Sequence, residues 1–271
     1  LGTFAMADKT RSRLPLTGYS VHEAAWSPDS RRIALLATAE EGQQIYLFSY
    51  QPDAPNIISD MRQLTRSTST YRQLSWTPDG EEIVVVARDA AIAQDDEGSS
   101  RGVSDLLALQ PESAEVRVLT EHNLTIDSYA CTPDGRALAI IATAEQPLHQ
   151  VYLVTRHGNV GDHTLAVSPD LEYEAYASPT DGNELRMALP GPYRPQWDAA
   201  GQTLYFLTQG QQEQTTALTR LDIVWRAHKQ LTQAKGLITY IALIPQYNQL
   251  VYVQRENDGS SGFYRIDLNQ D

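Results

Sequence analysis

The chain has a single cysteine, Cys131, in 271 residues, so an internal disulfide is excluded. No apolar run approaches the ~18 residues that a membrane-spanning helix requires. Positive charge is scarce: 21 Lys and Arg face 34 Asp and Glu, giving a net charge of −13 and a pI near 4.8. That balance argues against a nucleic-acid backbone or an anionic membrane as partner, and it keeps a β-rich chain soluble. There is no Met at position 1. The chain is therefore expected to be a processed or trimmed form. A removed signal peptide, and with it a periplasmic or extracellular location, fits that start.

What is present is a repeat. Ala24-Ala25-Trp26-Ser27-Pro28-Asp29-Ser30-Arg31-Arg32-Ile33-Ala34-Leu35-Leu36 reads as strand, turn and strand. Pro28 presets the φ of the second position of a type I turn, Asp29 suits the third, and Gly is best at the fourth. Trp76-Thr77-Pro78-Asp79-Gly80 and Cys131-Thr132-Pro133-Asp134-Gly135 supply that Gly. Val167-Ser168-Pro169-Asp170-Leu171 is a fourth copy, Trp197-Asp198-Ala199-Ala200-Gly201 a fifth, and Leu243-Ile244-Pro245-Gln246-Tyr247-Asn248 a sixth with Asn in the Gly slot. The steps between turn positions are 50, 55, 36, 30 and 46 residues, within the range of a four-stranded propeller blade. A Leu-Thr marker at Leu16-Thr17, Leu64-Thr65, Leu119-Thr120 and Leu231-Thr232 precedes the next turn by 11 to 13 residues.

The W-S-P-D-G turn, the apolar strand after it, the aromatic strand Ile45-Tyr46-Leu47-Phe48 and the closing Leu-Thr resemble the WD40-like repeat of TolB propellers. They also resemble the propeller domains of prolyl-oligopeptidase-type peptidases. The resemblance implies an all-β, six-bladed propeller over 1–271, with five blades as the alternative. Blades are expected at about 18–65, 66–120, 121–157, 158–189, 190–232 and 233–271. The segment Arg11–Thr17 is expected to close the ring by completing the last blade, which ends on the strand around Phe263. Trp26, Trp76, Cys131 and Trp197 are expected to be equivalent buried core positions.

Chemistry is harder to locate. Gly98-Ser99-Ser100-Arg101-Gly102 fits G-x-S-x-G but lies in an acidic Gly/Ser-rich stretch between Asp89 and Val103, without the strand and helix of a nucleophile elbow. His22, His122 and His163, with Asp127 and Asp162, fall in connections between blades. Converging there, such groups could hold a divalent metal, as in some propeller lyases that act on uronic acid oligomers. Ordinary polar loop histidines are the alternative. Tyr19, Tyr71, Tyr129, Tyr193 and Tyr240 recur just before first strands, with Arg72 and Arg194 beside two of them. Aromatic rings beside Arg suit a recognition surface; packing between blades is the competing role. Asn123-Leu124-Thr125 is a glycosylation sequon, of meaning only in a eukaryotic secreted protein.

The resulting expectation is a monomeric, non-catalytic propeller without cofactor. It binds a protein, peptide or glycan through Tyr19, Tyr71, Arg72, Asp127, Tyr129, Tyr193 and Arg194, on the face opposite the Pro-Asp turns. The alternative is a metal-dependent lyase with His22, His122 and His163 at the channel mouth. A third reading is a gate cut from a larger peptidase.

Overall fold

The computed structural model describes residues 2–5, 10–13, 16–51, 58–88, 103–120, 124–143, 149–157, 165–166, 195–209, 216–225, 227–233, 236–256 and 258–270. Two short strands come first, β1 (Gly2–Ala5) and β2 (Thr10–Arg13), paired with each other. The first four-stranded sheet follows in chain order: β3 (Ser20–Trp26), β4 (Arg32–Ala39), β5 (Gly42–Tyr50) and β6 (Ile58–Gln63). The second holds β7 (Thr70–Trp76), β8 (Ile83–Arg88), β9 (Asp105–Leu109) and β10 (Val116–Val118). The third holds β11 (Thr125–Cys131), β12 (Ala137–Thr143), β13 (His149–Thr155) and β14 (Leu165–Ala166). The fourth holds β15 (Gln196–Trp197), β16 (Thr203–Gln209), β17 (Thr216–Asp222) and β18 (Ala227–Gln233). The last has three strands, β19 (Leu237–Ile244), β20 (Gln249–Arg255) and β21 (Ser261–Asp267). Every pairing is antiparallel. The chain divides into two compact units, Leu1–His122 and Asn123–Asp271.

The turns form for the reasons the repeat gives. Ser30, Gly80 and Gly135 donate their N–H to the carbonyl three residues back, at 2.9 Å in each case, and all three have positive φ. The hydroxyls of Ser27, Thr77 and Thr132 donate to Asp29, Asp79 and Asp134, whose carboxylates also accept the N–H of Arg31, Glu81 and Arg136. In the copy without Pro, Asp198 replaces the hydroxyl and accepts from the N–H of Gln202 and Thr203. In the last copy Pro245–Tyr247 is a 3-10 turn and Asn248 takes the left-handed conformation at φ 48°.

The hydroxyl donated by Ser27 to Asp29, and by Thr132 to Asp134, holds both carboxyls below the usual range, helped by the backbone N–H of Arg31 and Arg136. A lowered folded pKa means that the stability these groups lend is present above the unfolded value and is lost as pH falls through the folded one. Melting temperature should therefore fall as pH drops below about 4. The double substitution Asp29→Asn and Asp134→Asn should flatten that part of the profile, and an unchanged acid limb would contradict the assignment.

The Leu-Thr marker also has a physical cause. Leu64 and Leu119 are buried and donate their N–H to Ile45 and Leu106 on the third strand. The Thr65 and Thr120 hydroxyls accept the N–H of the same two residues and donate to Gln44 and Asp105. Each pair thus fastens the fourth strand over the third. Ile45, Leu106, Val151 and Leu218 occupy the same third-strand position in the first four sheets and are all 0% exposed. Phe263 holds that position in the three-stranded sheet and is 70% exposed; among the described residues no fourth strand pairs with β21.

Register places Trp26, Trp76, Cys131 and Trp197 at equivalent positions, opposite Ile33, Ile83, Leu138 and Leu204, with Leu243 opposite Leu250 in the last sheet. Their burial is not uniform. Trp76 and Trp197 are buried, Cys131 is half-buried, and Trp26 is 45% exposed with its ring edge-on to Tyr50. The buried pair share one joint: Trp76 Nε1 donates to the carbonyl of Ala25 at 3.0 Å, and Trp197 Nε1 to that of Ala130 at 3.1 Å. Each acceptor immediately precedes the equivalent residue of the preceding sheet. Trp26 belongs to the first four-stranded sheet, and among the described residues no four-stranded sheet precedes it in its own unit. That corrects the expectation of a uniformly buried set.

The joint has a second consequence. Trp197 on Ala130 makes the third and fourth sheets direct neighbours, as Trp76 on Ala25 does for the first two. A Cβ on Gly201 would meet Pro133 Cδ at 3.5 Å, and one on Gly80 would meet Pro28 Cδ at 3.4 Å, the same turn-to-turn contact. Leu165–Ala166, expected to begin a separate blade, instead pairs with Tyr152 and Leu153 as the outer strand of the third sheet. The Pro169-Asp170 turn and the glycine-bounded serine stretch 98–102 lie outside the described residues.

Candidate functional site

The turn end of each sheet is nearly uniform, so differences concentrate at the other end of the first strands. There the register with the second strand slips in four of the five sheets. It slips between Val21 and Glu23, between Arg72 and Ser75, between Ile126 and Ser128, and between Ile238 and Tyr240. Three of these bulges leave the residue four before the Trp-type position out of register, His22, Asp127 and Thr239, whereas the bulge of β7 falls on Gln73 and Leu74, beside Arg72, which stays paired with Val86. By the same count Tyr193 is the member of the fourth sheet, but it lies outside the described residues, as does Arg194. A bulge re-aims a side chain and interrupts the ladder, and such features concentrate beside functional sites.

In the first unit, β3 and β7 bring two bulges together. Glu23 accepts the N–H of Gln73 and of Leu74, each at 2.7 Å. Those are the amides that the β7 bulge removes from the ladder, and Gln73 there has φ of 59°. The carboxylate of one sheet therefore fixes the bulge of the next, with Arg72 exposed beside it. His22 is exposed, with Nε2 2.8 Å from Thr38 Oγ1. In the second unit Asp127 is half-buried at its bulge, next to the buried Ser128.

The recurrent tyrosines do not share one position. Measured from the Trp-type residue they sit at different offsets, so alternation and the bulge turn them to different faces. Tyr71 and Tyr129 are 6% and 1% exposed and belong to the core, the Tyr71 hydroxyl meeting Ser67 at 2.6 Å. Tyr19 is half-buried, edge-on to Tyr46 at 5.0 Å. Tyr240 is 55% exposed. The structure thus gives Tyr71 and Tyr129 the packing role rather than a surface one. Among the described residues no three His, Cys, Asp or Glu side chains gather as a metal site, and His122 and His163 lie outside those residues. Glu23 was not legible as a site-building residue, since its partners are backbone amides of another sheet.

No protein-family model matches the chain. It is 26% identical over 161 residues to the uncharacterized peptidase YuxL of Bacillus subtilis, a stretch covering 48% of this chain and 23% of that protein. The chain therefore spans about a quarter of that relative. Among solved structures, TolB of Acinetobacter baumannii matches with a TM-score of 0.63 at 14% identity, over 99% of this chain and 57% of that one. A Mycobacterium tuberculosis puromycin-hydrolyzing peptidase matches with a TM-score of 0.67 at 15% identity, over 97% of this chain and 39% of that one. The all-β sheets, the repeated turn and these likenesses agree: the chain has the β-propeller fold of TolB, shared with the propellers of peptidases.

Proposed function

We propose that this is a non-catalytic, monomeric propeller that binds a protein, peptide or glycan partner at the end carrying the inter-blade connections, in a periplasmic or extracellular setting. The observation that carries this is the row of bulges. The bulges carry unlike side chains, with His22, Asp127 and Thr239 at equivalent positions and Arg72 beside the bulge of β7, whereas the turn end repeats the same fold-making residues. A rigid scaffold with variable positions at one end is how binding surfaces are built. Arg72, Asp127, Tyr19, Tyr193 and Arg194 remain in the proposed site.

The direct joint between the third and fourth sheets favours five blades over six. Closure by the N-terminal segment is also proposed: Leu16-Thr17 is a Leu-Thr marker without a third strand assigned to it, and the exposed Phe263 occupies the place such a marker covers elsewhere. A second reading, a substrate gate of a longer peptidase, draws on the stretch shared with the Bacillus protein.

The test is binding to glycan and peptide arrays by the wild type and by a variant with Arg72→Ala and Arg194→Ala. Binding should weaken by at least about tenfold while the melting temperature stays within a few degrees; Arg72 is exposed, and exposed substitutions change stability little. Ligands retained at full strength by the double variant would place the site elsewhere.

A further inference from the structure

The bulge of β7 is built differently from its counterparts. In β3, β11 and β19 a single residue, four before the Trp-type position, drops out of register with the second strand. In β7 that residue, Arg72, stays opposite Val86, and Gln73 and Leu74 together face Val85. Gln73 has a φ of 59° and is the only residue of a first strand with positive φ among the described residues. That conformation is unfavourable for any residue but glycine, so it persists only where its surroundings impose it. The two oxygens of Glu23 do so, each accepting one of the bulged amides at 2.7 Å, and bonds to a charged acceptor are the stronger kind. Glu23 stands three residues before Trp26. The same count gives Gln73, Ser128, Arg194 and Tyr240 in the other four sheets, so none of them has an acid at that place.

We propose that Glu23 is a positioning residue that chooses between two settings of this bulge and thereby fixes where Arg72 stands. In the observed setting Arg72 is held in register. In the other, which β3, β11 and β19 adopt, Gln73 pairs with Val86 and Leu74 with Val85, and Arg72 is the residue left out. Tyr71 opposite Ala87 and Ser75 opposite Val84 keep their partners in both settings. Each setting contains the same one extra residue, so Tyr71, Leu74 and Trp76 keep their common buried cluster and the choice is decided locally. The consequence for ligand affinity rests on the binding end proposed above, to which Arg72 belongs; the setting itself does not.

Nuclear magnetic resonance on the whole chain reads the setting. In the wild type the cross-strand contacts of Val86 should fall on Arg72, and Gln73 should show the strong intraresidue amide–Hα contact of a positive φ. In Glu23→Gln the Val86 contacts should pass to Gln73, now extended, while those between Ser75 and Val84 stay. Adding Gln73→Gly removes the penalty on positive φ and should return the Val86 contacts to Arg72. A Glu23→Gln variant that keeps the wild-type contacts, or that loses those of Ser75 with Val84 as well, overturns the proposal. So does a double variant that remains in the second setting. On glycan and peptide arrays, Glu23→Gln should weaken an Arg72-dependent ligand by about fivefold and have no effect in the Arg72→Ala background. Equal affinity of Glu23→Gln and the wild type would show that the setting does not aim Arg72. No binding by the wild type, with the contacts moving as stated, would overturn the functional reading and leave the role of Glu23 standing.

Discussion

Replacing Trp76 with Ala should destabilise the protein by about 3–5 kcal/mol in urea denaturation, the range for deleting a buried aromatic ring. Three contributions are lost together. The ring is 8% exposed and sits in the cluster with Leu36, Leu47, Leu74 and Val85, so its removal leaves a cavity. Its indole N–H leaves the Ala25 carbonyl without that donor, at the joint between neighbouring sheets. The guanidinium of Arg32, 4.7 Å from the ring centroid, loses the aromatic face beneath it. Trp26→Ala is the control at an equivalent register position. Because Trp26 is 45% exposed, its loss should stay within about 1 kcal/mol. Equal effects at the two positions would show that the joint, as described, does not govern stability.

Glu23→Ala should cost about 3 kcal/mol, a value set by two hydrogen bonds to a charged acceptor and by the two amides left behind. The N–H groups of Gln73 and Leu74 both lose the carboxylate that accepts them. Glu23→Gln should recover only part of the loss, since the amide is a weaker acceptor and brings its own donors toward N–H groups. Hydrogen exchange gives the finer readout: protection at Gln73 and Leu74 should fall well before the β8 core residues Val84 and Val85 are affected. Uniform loss of protection across β7 and β8 would mean that Glu23 supports the whole sheet rather than its bulge.

Much of the fold is legible in the sequence because it is written in local chemistry. Pro, Asp and Gly set dihedral angles within four residues, and the Leu-Thr marker closes the sheet through its own hydroxyl and N–H. The equivalence of Trp26, Trp76, Cys131 and Trp197 follows from a constant hairpin length. What fails is everything that depends on a neighbouring sheet. Exposure of Trp26, burial of Tyr71 and Tyr129, and the bridge from Glu23 to two distant amides are tertiary facts with no local signature. Within the run 158–189, whose spacing suggests a blade, Leu165–Ala166 pairs with the edge of β13, a partnership with no local signature. The bulges are the instructive case. Two of the site candidates, His22 and Asp127, fall in bulges and Arg72 lies beside one, yet Tyr71 and Tyr129, one and two residues away, turn into the core.

Site-specific photo-crosslinking tests the binding claim most directly. A benzoylphenylalanine would be placed singly at Arg72 and Asp127 on the bulge end, and at Glu81 and Arg136 on the turn end, and the protein irradiated in cells of its source. The account predicts one and the same partner adduct from Arg72 and Asp127, and no such adduct from Glu81 or Arg136. That adduct appearing from Glu81 and Arg136 and not from the bulge positions would contradict it.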